Sequence, residues 1–593
     1  MESRSRRFPN PSSALDEAAL ASSAWTEYSN GKGSRPRGAG ARLARLFALI
    51  VCGGFALQWW LWKPLPTDVE IADASPLQSN RLRGNNERYE HGIGTGADAE
   101  APTIGRVNDD AAPAFPPLVV TAQSAEDILA RRKRYNPASH SKDQKEVVEM
   151  VKWAWGGYAK HAYGRDSLNI HDRTGPSQDL ALTLVDSLDT LFLVGMFEEF
   201  DEASGWVAKN LETRMHYDGW VSVFETTIRV MGGLLSSFYL SGHEHLLVAA
   251  KKLGDLLTPA FKEYNHGFPD KDYNIVKKIT REAPSLAEVG SLQLEFKYLA
   301  RLTGKTEYQD QVEHIMDSLA RDVAEKYPNG LLPVVVNQRT GRISGGKVTL
   351  GANGDSYYEY LLKQWLLSGK RETKYKNQYI VAVNGIMDQL VAKSKPSGLV
   401  FIGELVDGHL SPKMDHLVCF VPGMLALGYM HGMPESHLKL AEQLLETCYQ
   451  MYAQMDAKLA PEIAYFNMND DASKDLDIHP RDAFNLLRPE TVESLMIMYR
   501  VTKNEKYRVY GREIMRAFEK HCKLETGGYM SIGNVAKGPV QTKFRDGMES
   551  FFVAETLKYL FLLFSDDSVF PLDQIVFNTE AHPFPMEQPV LAD

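Results

Sequence analysis

Seven times along this chain an acidic residue opens an apolar run of helical period, and that recurrence limits the possible folds more than any other feature. The runs begin at Asp186 (LVDSLDTLFLVG), Glu225 (VFETTIRVMGGLLSSFYL), Glu288 (LAEVGSLQLEFKYLARL), Asp355 (NGDSYYEYLLKQWLL), Asp415 (MDHLVCFVPGMLALG), Glu490 (LRPETVESLMIMYR) and Glu549 (MESFFVAETLKYLFLLF). After a first gap of about 40 residues the spacing is roughly 60 to 75, one helical hairpin per unit. Between the runs stand more polar helices such as EASGWVAKNLETR and ESHLKLAEQLLETCYQMYAQ. A helix apolar on every side belongs inside, and an amphipathic one outside. Alternation of the two kinds around a circle predicts an all-α fold, an (α/α)7 barrel of inner and outer helices. Strand signals are few. LLPVVVNQ and GRISGGKVTL predict one hairpin, and other short β-hairpins can connect helices elsewhere.

If the inner helices all start at one end, Asp186, Glu225, Glu288, Asp355, Glu490 and Glu549 converge on one pocket, with Arg229 and Glu493 a turn further in. A carboxylate at the positive end of a helix dipole accounts for any single one of them. Six together repel, which points to sugar hydroxyls, a cation, or both. The pattern is sharpest in FNLLRPETVESLMIMYR (484–500). Pro489 suits a first helical turn, and Glu490 and Glu493, three apart, share a face beside Arg488. Like charge crowded in this way perturbs pKa values, as acid–base chemistry requires.

The 593 residues are 44% hydrophobic, enough for a large core. Residues 1–45, rich in Ser, Gly, Pro and Arg, predict a disordered basic cytosolic tail. Residues 46–62 (LFALIVCGGFALQWWLW) predict a transmembrane signal anchor, because about 17 apolar residues at ~1.5 Å rise reach about 26 Å, close to the thinner endoplasmic reticulum bilayer. Arg35, Arg37, Arg42 and Arg45 precede the span and Lys63 stands nearly alone after it, so the expected topology is single-pass type II. Trp59, Trp60 and Trp62 stand where a signal-peptide cleavage site needs small residues. Residues 63–141 read as a lumenal stem and 142–593 as one catalytic barrel domain. The net charge of −10, with the basic excess confined to the tail, argues against a nucleic acid partner. No glycine pattern in a strand-to-helix setting suggests a nucleotide, and His243-Glu-His245 lacks a third ligand at zinc spacing. No Asn-x-Ser/Thr acceptor with a permissible middle residue occurs, so no N-glycan is expected on the chain itself.

From about Lys142 to Pro583 the motifs LVDSLDTLFLVG, VFETTIR, AEVGSLQLEF, GDSYYEYLLKQW, DHLVCFVPG, LRPETVESL, MESFFVAETLKYLFLLFSDD and NTEAHP resemble, in order, the class I α-1,2-mannosidases of glycoside hydrolase family 47. The resemblance implies a seven-pair α/α barrel with a C-terminal hairpin plugging one end. It also implies removal of α-1,2-linked mannose from high-mannose N-glycans with inversion, on an endoplasmic reticulum or Golgi membrane. By the same match Glu225 is the general acid, Glu490 the general base and Asp355 the third catalytic carboxylate. Arg229, His416, Arg488, Glu493, Phe551 and Glu555 match positions that hold the mannose, and Thr579, with Glu580 nearby, would bind calcium; Asp186, Glu288 and Asn353 join the expected substrate-binding set from their places at the pocket. Cys419 and Cys448 match the family's disulfide; an oxidising lumen favours pairing, and two buried free thiols are the alternative. Cys52 lies in the span and Cys522 near a helix end.

The resemblance leaves two rivals. A degradation-enhancing or lectin-like relative would keep the barrel and act on misfolded glycoproteins, but the cysteine pair and the short C-terminus after NTEAHP argue against it. An α-solenoid scaffold would not need converging acids. Endoplasmic-reticulum members carry arginine two residues before the aspartate of DSYYEYLL, where this chain has Asn353. A shorter, uncharged side chain removes a five-donor clamp, so broader trimming, of several mannoses, is expected.

Overall fold

A computed structural model describes residues 125–169, 180–216, 218–261, 266–337, 340–536, 544–545 and 547–587. The expected tail, membrane anchor and most of the stem lie outside them. None of the described helices is long and apolar enough to cross a membrane.

Seven helical stretches form a closed inner ring. In chain order they are Leu182–Asp186 with Leu188–Leu193, the π-turn Thr226–Met231 running into Gly232–Ser241, Gln293–Thr303, Asp355–Leu367, Val421–Met430, Glu490–Thr502, and the π-turn Phe552–Leu557 running into Lys558–Leu563. Each touches the next, and the seventh touches the first. They go inside because large apolar residues recur on every side of them. Every residue from Ser356 to Leu367 is buried, and so is every residue from Glu490 to Met498.

The outer helices are amphipathic and bury one stripe each. Lys506–His521, for example, buries Tyr507, Gly511, Ile514, Met515, Ala517 and Phe518 against the sixth inner helix and its neighbours. The first six inner helices pack on the outer helix that follows them. The seventh packs on Lys142–Ala162, which opens the barrel, so the pair that closes the ring joins its two ends. Ser141 and Gln144 start that helix with a reciprocal capping box. A further helix, Ala125–Lys133, already lies on the body within the segment read as stem: Arg131 donates to the Tyr239 carbonyl and Arg132 pairs with Asp201.

The barrel carries more strand than the few short hairpins expected. Among the described residues seven small antiparallel sheets join the helices. β1 (Val221–Ser222), β2 (Asp272–Asn274) and β3 (Ile279–Arg281) form one of them. The hairpin expected around residues 331–350 forms as β4 (Val335–Asn337) and β5 (Arg342–Ser344), with Val336 opposite Ile343. Its tail, β6 (Lys347–Val348), leaves to pair with Glu404–Val406 instead. These strands are two to four residues long, too short to show a period of two in sequence.

The last hairpin, Ile575–Phe577 with Pro583–Pro585, carries a turn, residues 578–582, up into the ring. Asn578 is wholly buried there, donating to the Ile228 carbonyl and to Glu295, while its own amide oxygen accepts from the backbone of Glu580 and His582. Gly232 makes room for this turn, since a Cβ there would lie 2.7 Å from the His582 ring. The disulfide Cys419–Cys448 ties the start of the fifth inner helix to its outer partner, Glu435–Ala453, and Cys522 is a buried free thiol.

Candidate active site

Glu225, Asp355 and Glu490 begin the second, fourth and sixth inner stretches, alternate members of the ring, so they face one another across its mouth. Ser222 caps the first of these by accepting from the Glu225 backbone N–H at 3.2 Å. Pro489 stands at the cap of the sixth, one position before the expected first turn. Together they open on a cavity of about 260 Å³ whose floor is the Thr579–Glu580 turn. Drug-sized pockets run to ~300–1,000 Å³, so this one suits a single small polar unit.

Of the expected residues, Glu225, Arg229, Glu288, Asn353, Asp355, Arg488, Glu490, Glu493, Phe551, Glu555, Thr579 and Glu580 all line the cavity. Glu288 does so while one of its oxygens accepts from the Ser285 N–H in a capping box, so capping and cavity lining coexist. Two of the residues expected to hold sugar do not line the cavity. Asp186 is fully buried at the end of a short helix rather than at its head, accepting from Ser550 and His582 behind Arg229. His416 is buried behind Glu490, bonding Glu490 Oε2 through Nδ1 (2.6 Å) and the Tyr452 hydroxyl through Nε2 (2.8 Å). Neither reaches the cavity. Glu549 is exposed and does not line it either. His243 and His245 both bond Ser204.

The cavity wall carries eight carboxyl groups, the six acids just named with Asp355 and Glu359, against two guanidinium groups. Arg229 donates to Glu225, to Glu580 (2.9 Å) and to Ser550 (3.0 Å). Arg488 is clamped by Glu462, with its Nε 2.8 Å from both oxygens, and reaches Glu490 at 3.7 Å. Both guanidinium groups lie over the Phe551 ring, each 5.7 Å from its centre.

These surroundings divide the acids. Burial is the largest influence on Glu490 and pushes its pKa up, but the His416 bond and the Arg488 charge outweigh it and hold the carboxyl below its ordinary value. Burial lifts Asp355 to about 7, helped by Glu359 and Glu490. At the floor burial lifts Glu493 to about 8 against the opposing charge of Lys363. Glu580 also rises to about 8, and Glu555 well above the carboxylate range, each raised by burial and by the other acids around it. One ionised carboxylate thus stands across the mouth from a carboxyl that keeps its proton near neutrality, the complement needed for acid–base hydrolysis.

The sequence profile of glycosyl hydrolase family 47 matches residues 150–586. The chain belongs to that family. It is 47% identical over 471 residues to the endoplasmic reticulum mannosyl-oligosaccharide 1,2-alpha-mannosidase of Rattus norvegicus, covering 78% of this chain and 71% of that protein. It is 41% identical over 475 residues to the mannosyl-oligosaccharide 1,2-alpha-mannosidase of Candida albicans, covering 74% and 83%. The solved α-1,2-mannosidase from Trichoderma reesei aligns with a TM-score of 0.69 at 25% identity, over 76% of this chain and 99% of that one.

The family 47 site here also uses residues that the sequence reading passed over. Glu359 and Lys363 repeat every fourth position after Asp355, so one helix face carries all three. Lys363 pairs with Glu359, approaches Glu493 at 3.8 Å and donates to the Asn578 carbonyl, fixing the floor. That spacing was visible in the sequence. Glu462, which orients Arg488, sits in the loop before a short strand, and only the tertiary fold brings it there.

Proposed function

We infer that this family 47 protein is an exo-acting α-1,2-mannosidase that trims terminal mannose from high-mannose N-glycans. The observation that carries the reading is the set Glu225, Asp355 and Glu490 on alternate inner helices around a one-sugar pocket, in a chain 47% identical to an enzyme of that name. Glu490, ionised and oriented by His416, is suited to activate water. Glu225 and Asp355 face it from the side where the leaving oxygen must lie, which fits inversion by direct displacement. The family resemblance gives the acid role to Glu225. Electrostatics favour Asp355 as a group that holds the proton, since burial and the charges of Glu359 and Glu490 lift it to about 7. The names of its relatives support the endoplasmic reticulum as its compartment, and residues 46–62 supply the type II anchor that would hold the body in the lumen. Mannose release from a purified high-mannose glycan tests the reading; an enzyme that binds the glycan but frees no mannose would refute it.

Calcium fits the floor. Its donors are hard oxygens, and the excess of carboxyl over guanidinium groups calls for a cation. Among the described residues no three acidic, His or Cys side chains form a direct metal cage. By the family resemblance Thr579 at the tip of the turn would hold the ion through its hydroxyl and carbonyl oxygens, with Glu493, Glu555 and Glu580 around it. When bound, calcium would supply positive charge to sugar hydroxyls. Chelator is expected to remove activity and to lower the melting temperature, with calcium restoring both. A ligand that binds only the folded state adds about 2.7 kcal/mol at a hundredfold excess over Kd. Adding calcium to the apo protein near pH 7 should also release protons, because burial lifts Glu493 and Glu580 to about 8 without it. Thr579→Ala should weaken all three responses. An unchanged melting curve in excess chelator would count against the site.

Asn353 supports broad trimming. It lines the cavity with φ of 78°, and its carbonyl accepts from the Ala287 N–H at 3.0 Å. Asn tolerates that left-handed backbone better than arginine does. We expect wild type to remove several mannoses and Asn353→Arg to narrow the isomer series, with relative rates shifting ~10- to 200-fold. Asn353→Leu shares the backbone cost but brings no donors, so the same narrowing in both variants would refute a clamp.

A further inference from the structure

A row of side chains crosses the β1–β2–β3 sheet and ends outside the pocket mouth. Ser222 on β1 caps the Glu225 helix; its partner across β2 is Asp272, whose partner across β3 is Arg281. Arg281 donates through Nε to Asp272 at 2.8 Å, and its guanidinium lies 4.4 Å over the half-buried Trp220 ring. The Arg281 side chain is 47% exposed, and neither it nor Trp220 lines the cavity. The hydrolytic site does not use them.

The position of this pair is what gives it a role. Two strand spacings, about 10 Å, separate Arg281 from Ser222, too far for contact with a sugar inside the pocket. The sheet rises between the starts of the second and third inner helices, whose Glu225 and Glu288 do line the cavity. On the mannosidase reading water is activated at Glu490, on the sixth helix, which puts the departing sugar over the second to fourth helices. On that reading the β1–β2–β3 sheet, next to the start of the second helix, flanks the side on which the rest of the glycan leaves. An indole ring offers a flat apolar surface to the C–H face of a pyranose. A guanidinium held in place by a carboxylate and a ring keeps further N–H donors for hydroxyls.

We propose that Trp220 and Arg281 form an outer subsite that holds a mannose of the glycan beyond the scissile pair. The proposal rests on the mannosidase reading above and extends it to the choice among oligosaccharides. Trp220→Ala and Arg281→Met are each compared with wild type on a high-mannose oligosaccharide and on α-1,2-linked mannobiose, which has no outer sugar. The expected result is a loss of about tenfold in the ratio of kcat/KM for oligosaccharide over mannobiose, carried by KM. Affinity for the oligosaccharide, measured by calorimetry with the same changes in a Glu490→Gln background, should fall by a similar factor. Equal losses on both substrates, as from a sheet that only supports the Glu225 cap, would overturn the subsite, and so would an unchanged ratio and affinity. A wild type that binds the oligosaccharide in a Trp220-dependent way yet cleaves neither substrate would refute the mannosidase reading and leave the subsite standing.

Discussion

Glu490→Gln is expected to lower kcat by ~10²–10⁴-fold while glycan binding is largely retained, because the amide keeps the shape of the side chain and loses only its basicity. Three features make this residue the strongest assignment. It begins the sixth inner helix, it faces the cavity, and its hydrogen bond from His416 favours the charged form that a base needs. Glu225→Gln is expected to fall by a comparable factor, since it also breaks the Arg229 pair that reaches Glu580 and the floor. The proton donor is then identified by pH. Asp355, raised to about 7, is protonated below that pH and loses its proton above it, so activity should decline as pH rises through about 7. That alkaline limb should vanish in the residual activity of Asp355→Asn and persist in that of Glu225→Gln. Near-normal turnover in Glu490→Gln would sink the base assignment. A limb lost in Glu225→Gln and kept in Asp355→Asn would return the donor role to Glu225.

The barrel was legible because its inner helices break the usual rule of one polar face. DSYYEYLLKQWLL and ETVESLMIMYR carry large apolar residues on every side, interrupted only by a few charged positions, and only a helix enclosed by others can be so. The three catalytic candidates were legible because each heads such a run. Other features were hidden for physical reasons. Asp186 fits the same pattern in sequence, yet it ends a five-residue helix and turns into the protein. Glu462 and Arg488 lie 26 residues apart in irregular chain, and no period links them. The rim sheets are held by pairings between strands as far apart as Lys347 and Val406. A charged residue inside an apolar run, such as Lys558 in KYLFLL, looks like a surface position until its partner's location is known.

Lys558→Met is expected to destabilise the protein by about 3–5 kcal/mol without removing any residue of the cavity wall. Lys558 and Asp189 are both 0% exposed, their Nζ and Oδ1 atoms 2.8 Å apart, and the ammonium also donates to the Ala581 carbonyl at 2.8 Å. The other Asp189 oxygen accepts from Ser236 and bonds His582 Nδ1, each at 2.8 Å, while His582 Nε2 reaches Asp186 at 3.0 Å. Burial alone would push Asp189 up, but Lys558 and His582 outweigh it and hold the carboxyl down at about 2. This buried cluster joins the first, second and seventh inner helices to the C-terminal turn, so it closes the ring at the point where the chain could not close itself. Methionine fills most of the lysine's volume, so the cost comes from an under-compensated carboxylate and an orphaned carbonyl rather than from a cavity. Replacing both charges, as Lys558→Met with Asp189→Leu, removes the stranded charge and should recover part of the loss. The check is a double-mutant cycle of denaturant midpoints: a single mutant as stable as wild type, or a double mutant whose losses simply add, would show that the pair does not hold the barrel shut.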